Sequence, residues 1–124
     1  MRRGGRRGER GAETLELIGC AGLLALVVLG ARTAVEAAHL QAAAEEDARI
    51  LARWQVTCDG AHPLRLLDVD PGLARRGGVE SLVSGPGGVV HEVIDVPAPA
   101  VLAGIGIRIH AAASMLREPG CNGP

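Results

Sequence analysis

The sequence predicts an α+β fold, in which a long N-terminal helix packs on a small antiparallel β-sheet. Three observations predict it. An uncharged apolar run covers residues 17–31, and an Ala-rich stretch without Gly or Pro follows it to residue 56. After residue 57, Gly and Pro become frequent and apolar residues alternate with polar ones, which is typical of strands and turns. With 124 residues, the chain has the length of one small domain.

The composition limits the class of protein. Hydrophobic residues make up 48% of the chain, yet Phe and Tyr are absent and there is only one Trp, so a core cannot draw much of its buried area from aromatic side chains. The formal net charge of -1 argues against a protein that binds nucleic acid through phosphate contacts. Five arginines are concentrated in residues 2–10, directly before the apolar run, which is typical of a membrane topology signal.

The apolar run predicts one membrane span at about residues 14–31. The uncharged part has 15 residues, whereas a helix needs about 20 to cross a bilayer. The run reaches 18 residues only if it starts at Thr14, and it then includes Glu16. Because five arginines precede the span and only Arg32 follows it closely, we expect a single-pass protein of the cytoplasmic membrane. Its N-terminus would lie in the cytoplasm and its C-terminal domain outside.

Glu16 is unusual because it lies directly against the apolar run. A carboxylate inside a span is costly and marks a functional group with a partner, unless its side chain reaches the headgroups. The sequence leaves both interpretations open.

The residues around this acid, RGERG followed by AETLE, resemble the class III signal of the type IV pilin superfamily. In that superfamily a short basic leader ends in Gly, a prepilin peptidase cuts after it, and a Glu is the fifth residue of the mature chain. The resemblance implies that residues 1–11 are a leader, that the cut falls between Gly11 and Ala12, and that Glu16 is the acid. Over its full length, the chain is most similar to TadE-like pseudopilins of the Tad (Flp) tight-adherence system.

This resemblance implies a function in assembly and not in catalysis. The chain is expected to be a minor pseudopilin of a Tad/Flp-type pilus or secretion apparatus, acting in assembly or adhesion after leader cleavage. Its expected partners are a prepilin peptidase, the Tad membrane assembly machinery, the membrane, and other pilins or pseudopilins, which it would contact through the N-terminal helix. In a pilus the chain would be extracellular. No cofactor is expected.

In a bundle of such helices, we expect Glu16 of one subunit to pair with the Ala12 α-amine of its neighbour. Removing one partner of a buried ion pair typically costs about 3–5 kcal/mol, so such a pair would fix the register of the subunits.

The alternative is a membrane-anchored or secreted small extracytoplasmic binding domain that is unrelated to pili, with Glu16 incidental. A conventional signal peptide fits the basic start and the apolar run, but no clean A-x-A cleavage site follows. This alternative predicts that Met1 is retained, or that the chain is cut after Ala31 or Ala34.

Residues 12–56 are predicted to form one helix, from about Glu13 to about Val56, whose second half is an Ala-rich stem. Apolar residues of the stem recur at spacings of three or four and form a narrow stripe, namely Ala37, Leu40, Ala44, Ala48, Leu51 and Trp54. We expect Trp54 to be the one large core residue. The acidic run at residues 45–47 is expected on the solvated side.

Residues 57–124 are predicted to form the β-rich domain. The candidate strands are PLRLLDVD (63–70), GVESLVS (78–84), GVVHEVIDV (88–96) and GIGIRIHAAASML (104–116), with a turn at SGPGG (84–88). In the third strand, alternation places Val90, Glu92, Ile94 and Val96 on one face. In the fourth, it places Ile105, Ile107, Ile109, Ala111 and Ala113 on one face.

Cys58 and Cys121 are a possible disulfide pair if the domain lies outside the cytoplasm. The alternative is that both remain free. No histidine shows H-E-x-x-H spacing and no cysteine shows C-x-x-C spacing, so no metal site is expected. His91 and His110 could meet across neighbouring strands, although a solvated strand face explains them equally well.

Overall fold

The computed structural model describes residues 6–57 and 64–120. It confirms the α+β class, because a long helix packs against a three-stranded antiparallel sheet. The elements, in chain order, are α1 (Arg6–Val56), α2 (Leu66–Val69), α3 (Pro71–Arg75), β1 (Val79–Ser84), β2 (Val89–Pro97), α4 (Ala100–Ala103) and β3 (Arg108–Leu116). The chain divides into two compact units, Met1–Val35 and Glu36–Pro124.

Helix α1 begins at Arg6, earlier than the predicted Glu13, and ends at Val56 as predicted. Elongation of a formed helix gains a hydrogen bond for each added residue, so a strongly helical segment extends into its neighbours. Arg and Glu are good helix formers, whereas each of the two glycines in this extension, Gly8 and Gly11, costs about 1 kcal/mol relative to Ala. The arginine-rich residues from position 6 onward are therefore continuous with the apolar run.

The second unit builds its core on an i, i+4 row of small and medium apolar residues of α1. The members of this row are all buried: Leu40, Ala44, Ala48, Ala52 and Val56. Leu51 lies beside the row and is 1% exposed. Trp54 is 38% exposed, so its predicted place in the core is wrong. Because four residues are slightly more than one helical turn, the row shifts around the helix from step to step. It moves away from Trp54, which lies at the margin of the buried face.

The sheet has the order β1-β2-β3 and both pairings are antiparallel. The four residues of β2 that were predicted to share one face do share it, and this face points inward, because all four are buried: Val90, Glu92, Ile94 and Val96. Ile94 lies opposite Glu80 of β1 and Ala111 of β3. The core of this unit therefore lies between the inward face of the sheet and the stem part of α1.

The predicted strand at 63–70 is wrong, because its described residues belong to helix α2 and its flanks, and α3 follows. Asp70 caps α3 by accepting a hydrogen bond from the Leu73 amide at 2.9 Å, and Pro71 takes the first helical position. Leu66 and Leu73 are each 3% exposed and complete the core. An apolar segment this short does not distinguish strand from helix by periodicity.

The other strand predictions are confirmed, except at the start of β3. The predicted turn is a short 3-10 segment at Pro86–Gly88. Before β3, Gly106 has a φ of 81° and the Ile107 amide bonds the Leu102 carbonyl at 3.1 Å. This turn ends helix α4, and it leaves Ile105 and Ile107 outside the strand and exposed.

Candidate functional site

The residues of the pilin-like motif lie on the N-terminal part of helix α1. Gly11, Ala12 and Glu16 are all helical and exposed. Ala12 and Glu16 are four residues apart, so they lie on the same face of the helix, one turn from each other. A Cβ added at Gly11 would meet no atom within 4 Å. The Gly11–Ala12 bond is therefore accessible, and Glu16 shares one helix face with Ala12, the expected new N-terminus.

The apolar run directly after this junction is uncovered. It forms a helix that is long and apolar enough to cross a membrane or to act as a signal anchor. None of its most apolar 18-residue window is buried within the chain. Its large side chains are half or more exposed: Leu15, Leu17, Ile18, Leu23, Leu24, Leu26, Val27, Val28 and Leu29. A soluble monomer rarely exposes so large an apolar patch, and patches of this size are typical of membrane or protein interaction surfaces.

Small residues interrupt this apolar surface. A Cβ added at Gly19, Gly22 or Gly30 would meet no atom within 4 Å. Cys20 is exposed and is a free thiol. Small residues let membrane helices approach each other closely, so this face could accept a neighbouring helix.

The outer face of the sheet carries two polar groups of side chains. Asp95 bonds Arg108 Nε at 2.5 Å and lies 3.4 Å from His110 Nδ1. Separately, His91 Nδ1 lies 2.6 Å from Ser114 Oγ. The two histidines therefore do not meet, because the strand register places each of them opposite another residue.

The His91–Ser114 pair has no triad geometry, because the Nε2 atom of His91 faces the Gly85 turn. A triad would instead place an orienting acid on one ring nitrogen and the hydroxyl on the other. Within residues 6–57 and 64–120, no group of three or more His, Cys, Asp and Glu side chains could hold a metal ion.

Among the described residues of the second unit, two acids are buried, and neither was predicted to be a site residue. Asp47 of α1 is 7% exposed, which contradicts its expected solvated position, and Glu92 of β2 is 3% exposed. Burial, then the Asp70 charge, a hydrogen bond with Asp70 and the Glu46 charge raise the pKa of Asp47 to about 6. Burial and then the Glu80 charge raise the pKa of Glu92 to about 7.

The sequence contains a signal for both acids. Asp47 comes three residues after Ala44 and four before Leu51, so it shares the helical spacing of the apolar stripe. Glu92 alternates with Val90, Ile94 and Val96, so it shares an otherwise apolar face of its strand. Asp47 and Glu92 are therefore identified by the same pattern, an acid at a position where the periodicity predicts a buried apolar residue.

Cys58 and Cys121, the two cysteines of the possible disulfide, lie outside the described residues.

No family model matches the chain, and neither a curated protein nor a solved structure resembles it significantly. Its function is therefore inferred from its own residues.

Proposed function

We propose that the chain is a TadE-like minor pseudopilin that is cut after Gly11 and acts by assembling with other pilin-like helices. The observation that carries this proposal is the position of Glu16. It is an exposed acid at the start of an uncovered apolar helix, five residues after the glycine that ends a basic leader-like segment. A helix that serves only as an anchor has no need of an acid at the start of its apolar segment, where an ionised side chain is costly.

Cleavage would change the charge of this helix end in two ways. It removes the five arginines of residues 2–10, which hold the N-terminus on the cytoplasmic side, and it creates an α-amine at Ala12. The segment then carries a cation and an anion one helical turn apart. In a bundle, the amine of one subunit would neutralise Glu16 of the next, and the uncovered apolar side chains would pack against neighbouring helices.

The leader cut is tested by co-expressing the full chain with a prepilin peptidase and measuring the mature N-terminus by mass spectrometry. We expect a chain that begins at Ala12. The variant Gly11→Leu should remain uncut, because it enlarges the residue before the scissile bond. Gly8→Leu changes another glycine of the same leader-like segment and serves as the matched control, which should still be cut.

Other termini decide against the proposal. A retained Met1, or a cut after Ala31 or Ala34, would support the anchored or secreted binding domain instead.

The registration role of Glu16 is tested by Glu16→Ala, with Glu13→Ala as the matched control. Glu13 lies one residue after Ala12, on a different face of the helix. We expect both variants to insert into membranes, but only Glu16→Ala to lose incorporation into sheared pilus fractions. Equal incorporation of the two variants would show that Glu16 is incidental.

A further inference from the structure

The connection between β2 and β3 carries an apolar surface that the core does not cover. Residues 98–107 form this apolar loop, which contains α4 and has no charged side chain. Val101 is 56% exposed, Ile105 is 73% exposed and Ile107 is 42% exposed. Single exposed apolar side chains are common on proteins, but loops are normally polar, and three large aliphatic side chains in one short loop are typical of an interaction surface.

The backbone of the apolar loop holds these side chains outward. The Leu102 carbonyl oxygen accepts hydrogen bonds from the Ile105 amide at 3.2 Å and from the Ile107 amide at 3.1 Å. The Leu102 side chain itself packs against the core. One inward residue therefore anchors the loop and presents two isoleucines to the outside, so their burial against a partner requires little further ordering.

Strand β3 and the stem part of α1 run in the same direction. Near the start of β3, the His110 carbonyl oxygen accepts a hydrogen bond from Gln41 Nε2 at 3.2 Å. Just past the end of β3, the Glu118 amide donates a hydrogen bond to the Val56 carbonyl oxygen at 3.3 Å. The start of β3 therefore lies beside the start of the stem.

The apolar loop consequently lies at the end of the second unit where the chain enters it, at Glu36. Ile107 precedes His110 by three extended residues, which rise about 10 Å. Glu36 precedes Gln41 by five helical residues, which rise about 7.5 Å. Ile107 and the loop before it therefore reach the level of Glu36 along the direction of the stem.

A short connection joins this end of the second unit to the apolar run. The run ends at Ala31, five residue steps before Glu36. Even fully extended, a connection of this length covers at most about 18 Å. In a chain whose apolar run crosses a membrane, the end of the second unit that carries the apolar loop is therefore tethered at the bilayer surface.

Charged side chains beside the apolar loop are already paired. Asp95, before the loop, bonds Arg108, which directly follows it. At the entry of the unit, Glu36 Oε1 lies 3.4 Å from Arg76 Nη1. Because each pair joins an acid to a base, the surroundings of the loop are close to neutral, which favours contact with an apolar phase.

We propose that the apolar loop docks on the lipid surface of the membrane that the apolar run crosses, with Val101, Ile105 and Ile107 inserted between the headgroups and the upper acyl chains. Interfacial segments bury their apolar side about 5–10 Å into this boundary. The tether makes the contact with lipid effectively intramolecular, so a few aliphatic side chains suffice and a protein partner has to compete with the bilayer. The docking rests on the membrane span of the proposed function, but it does not depend on leader cleavage.

The docking is tested by methyl NMR of the full chain in phosphatidylcholine nanodiscs, in which part of the lipid carries a nitroxide on the upper acyl chain. The δ1 methyl groups of the isoleucines report on the loop and on two internal controls. Ile18, in the apolar run, is the positive control. Ile50 is 39% exposed but lies 14 residues after Glu36, about 21 Å along α1, and is the negative control. We expect enhanced relaxation at Ile18, Ile105 and Ile107, and little at Ile50.

The variant Ile105→Asn should weaken the docking, because it places a polar amide at the most exposed of the three aliphatic positions. The relaxation enhancement of the Ile107 methyl group should then fall to the level of Ile50. Val83→Asn is the matched control, since Val83 is 55% exposed on β1 and lies outside the loop. This control should leave the enhancement at Ile105 and Ile107 unchanged.

The wild-type measurement decides even if Ile105→Asn does not fold. Enhancement at Ile18 without enhancement at Ile105 and Ile107 would overturn the docking and leave the span intact. Without enhancement at Ile18 the span itself fails, and the docking fails with it. Leader cleavage is read separately, from the mature N-terminus.

A water-soluble gadolinium chelate identifies what covers the loop when the lipid nitroxide does not reach it. Loop methyl groups that the chelate relaxes are in water. Loop methyl groups that neither reagent relaxes are covered by protein, such as a second copy of the chain. Both results contradict docking on lipid.

Discussion

Two parts of helix α1 use apolar side chains in opposite ways. The part from Leu15 to Leu29 carries large aliphatic side chains that are half or more exposed. The part from Leu40 to Val56 buries its apolar side chains, and three of them are alanines that are 0% exposed: Ala44, Ala48 and Ala52. Apolar character alone therefore does not distinguish the covered part of α1, from Leu40 to Val56, from the uncovered part, from Leu15 to Leu29.

Side-chain size explains the contrast. An alanine row lets the sheet approach the helix closely, so the core is filled by a few aliphatic side chains without any Phe or Tyr. The largest fully buried ones are Leu51, Ile94, Val90 and Val96. The uncovered part instead presents long side chains that fit lipid or a neighbouring helix. A core this small should be sensitive to any change of volume, whereas the uncovered part should not affect the fold.

The largest expected effect is from Ile94→Ala, in the middle of the core. Ile94 is 0% exposed, so the truncation leaves a cavity and should destabilise the second unit by about 2–5 kcal/mol. Leu24→Ala, in the uncovered part, is the control and should leave the free energy of unfolding unchanged. The measurement is denaturant unfolding of the full chain in micelles, followed by circular dichroism and the fluorescence of the single Trp. Equal losses of stability in the two variants would show that the covered and uncovered parts of α1 contribute alike to the fold.

A change in the opposite direction tests the alanine row. Ala44→Leu adds three carbons where the helix meets the core, and overpacking of this kind typically costs about 1–3 kcal/mol. Ala38→Leu places the same side chain at an exposed position of the same helix and should change stability little. Thermal melts of both variants would show the difference. If Ala44→Leu melts with the wild type, close packing is not the reason for the alanines.

Regular periodicity explains which parts of the fold the sequence predicts. Helix α1 and strand β2 have long, consistent patterns, and the structure confirms both elements, as it does the shorter strand β1. The α2–α3 segment has only a short apolar run, which fits either a strand or a helix. The sequence Asp70-Pro71 is a helix start signal that decides the matter in favour of a helix, since Asp caps and Pro takes the first turn.

The candidate site is predictable to different degrees in its parts. Glu16 is visible from sequence, because one acid beside a long apolar run is an exception that needs a reason. Asp47 is less visible because it lies in an acidic run, and only its spacing from Ala44 and Leu51 marks it as the buried member of that run. Trp54 is the opposite case. Its size suggests burial, but the i, i+4 row of buried residues shifts around helix α1 and leaves Trp54 at the margin of the buried face.

A smaller effect is expected from a glycine under the α2–α3 segment. A Cβ at Gly78 would lie 2.8 Å from the Leu73 carbonyl oxygen and 3.0 Å from Leu66 Cδ2. Because the closer atom is backbone, Gly78→Ala should shift the segment and cost about 1–2 kcal/mol. Gly104→Ala is the matched control, since Gly104 has a helical φ of -61° and its nearest contact is 3.5 Å. A stable Gly78→Ala variant would mean that the segment adjusts without loss.

The smallest expected effect extends the contrast between covered and uncovered side chains to charges. Asp95 has a side chain that is 31% exposed and bonds Arg108 at 2.5 Å, whereas Glu46 is 67% exposed and lies 4.0 Å from Arg49. Asp95→Asn should cost up to about 1 kcal/mol, and Glu46→Gln should cost less, because solvent screens the more exposed pair. Denaturant unfolding in low and high salt measures both. The Asp95 loss should shrink in high salt, since the pair is partly open to solvent. If Glu46→Gln costs as much as Asp95→Asn, coverage by neighbouring side chains does not set the strength of these pairs.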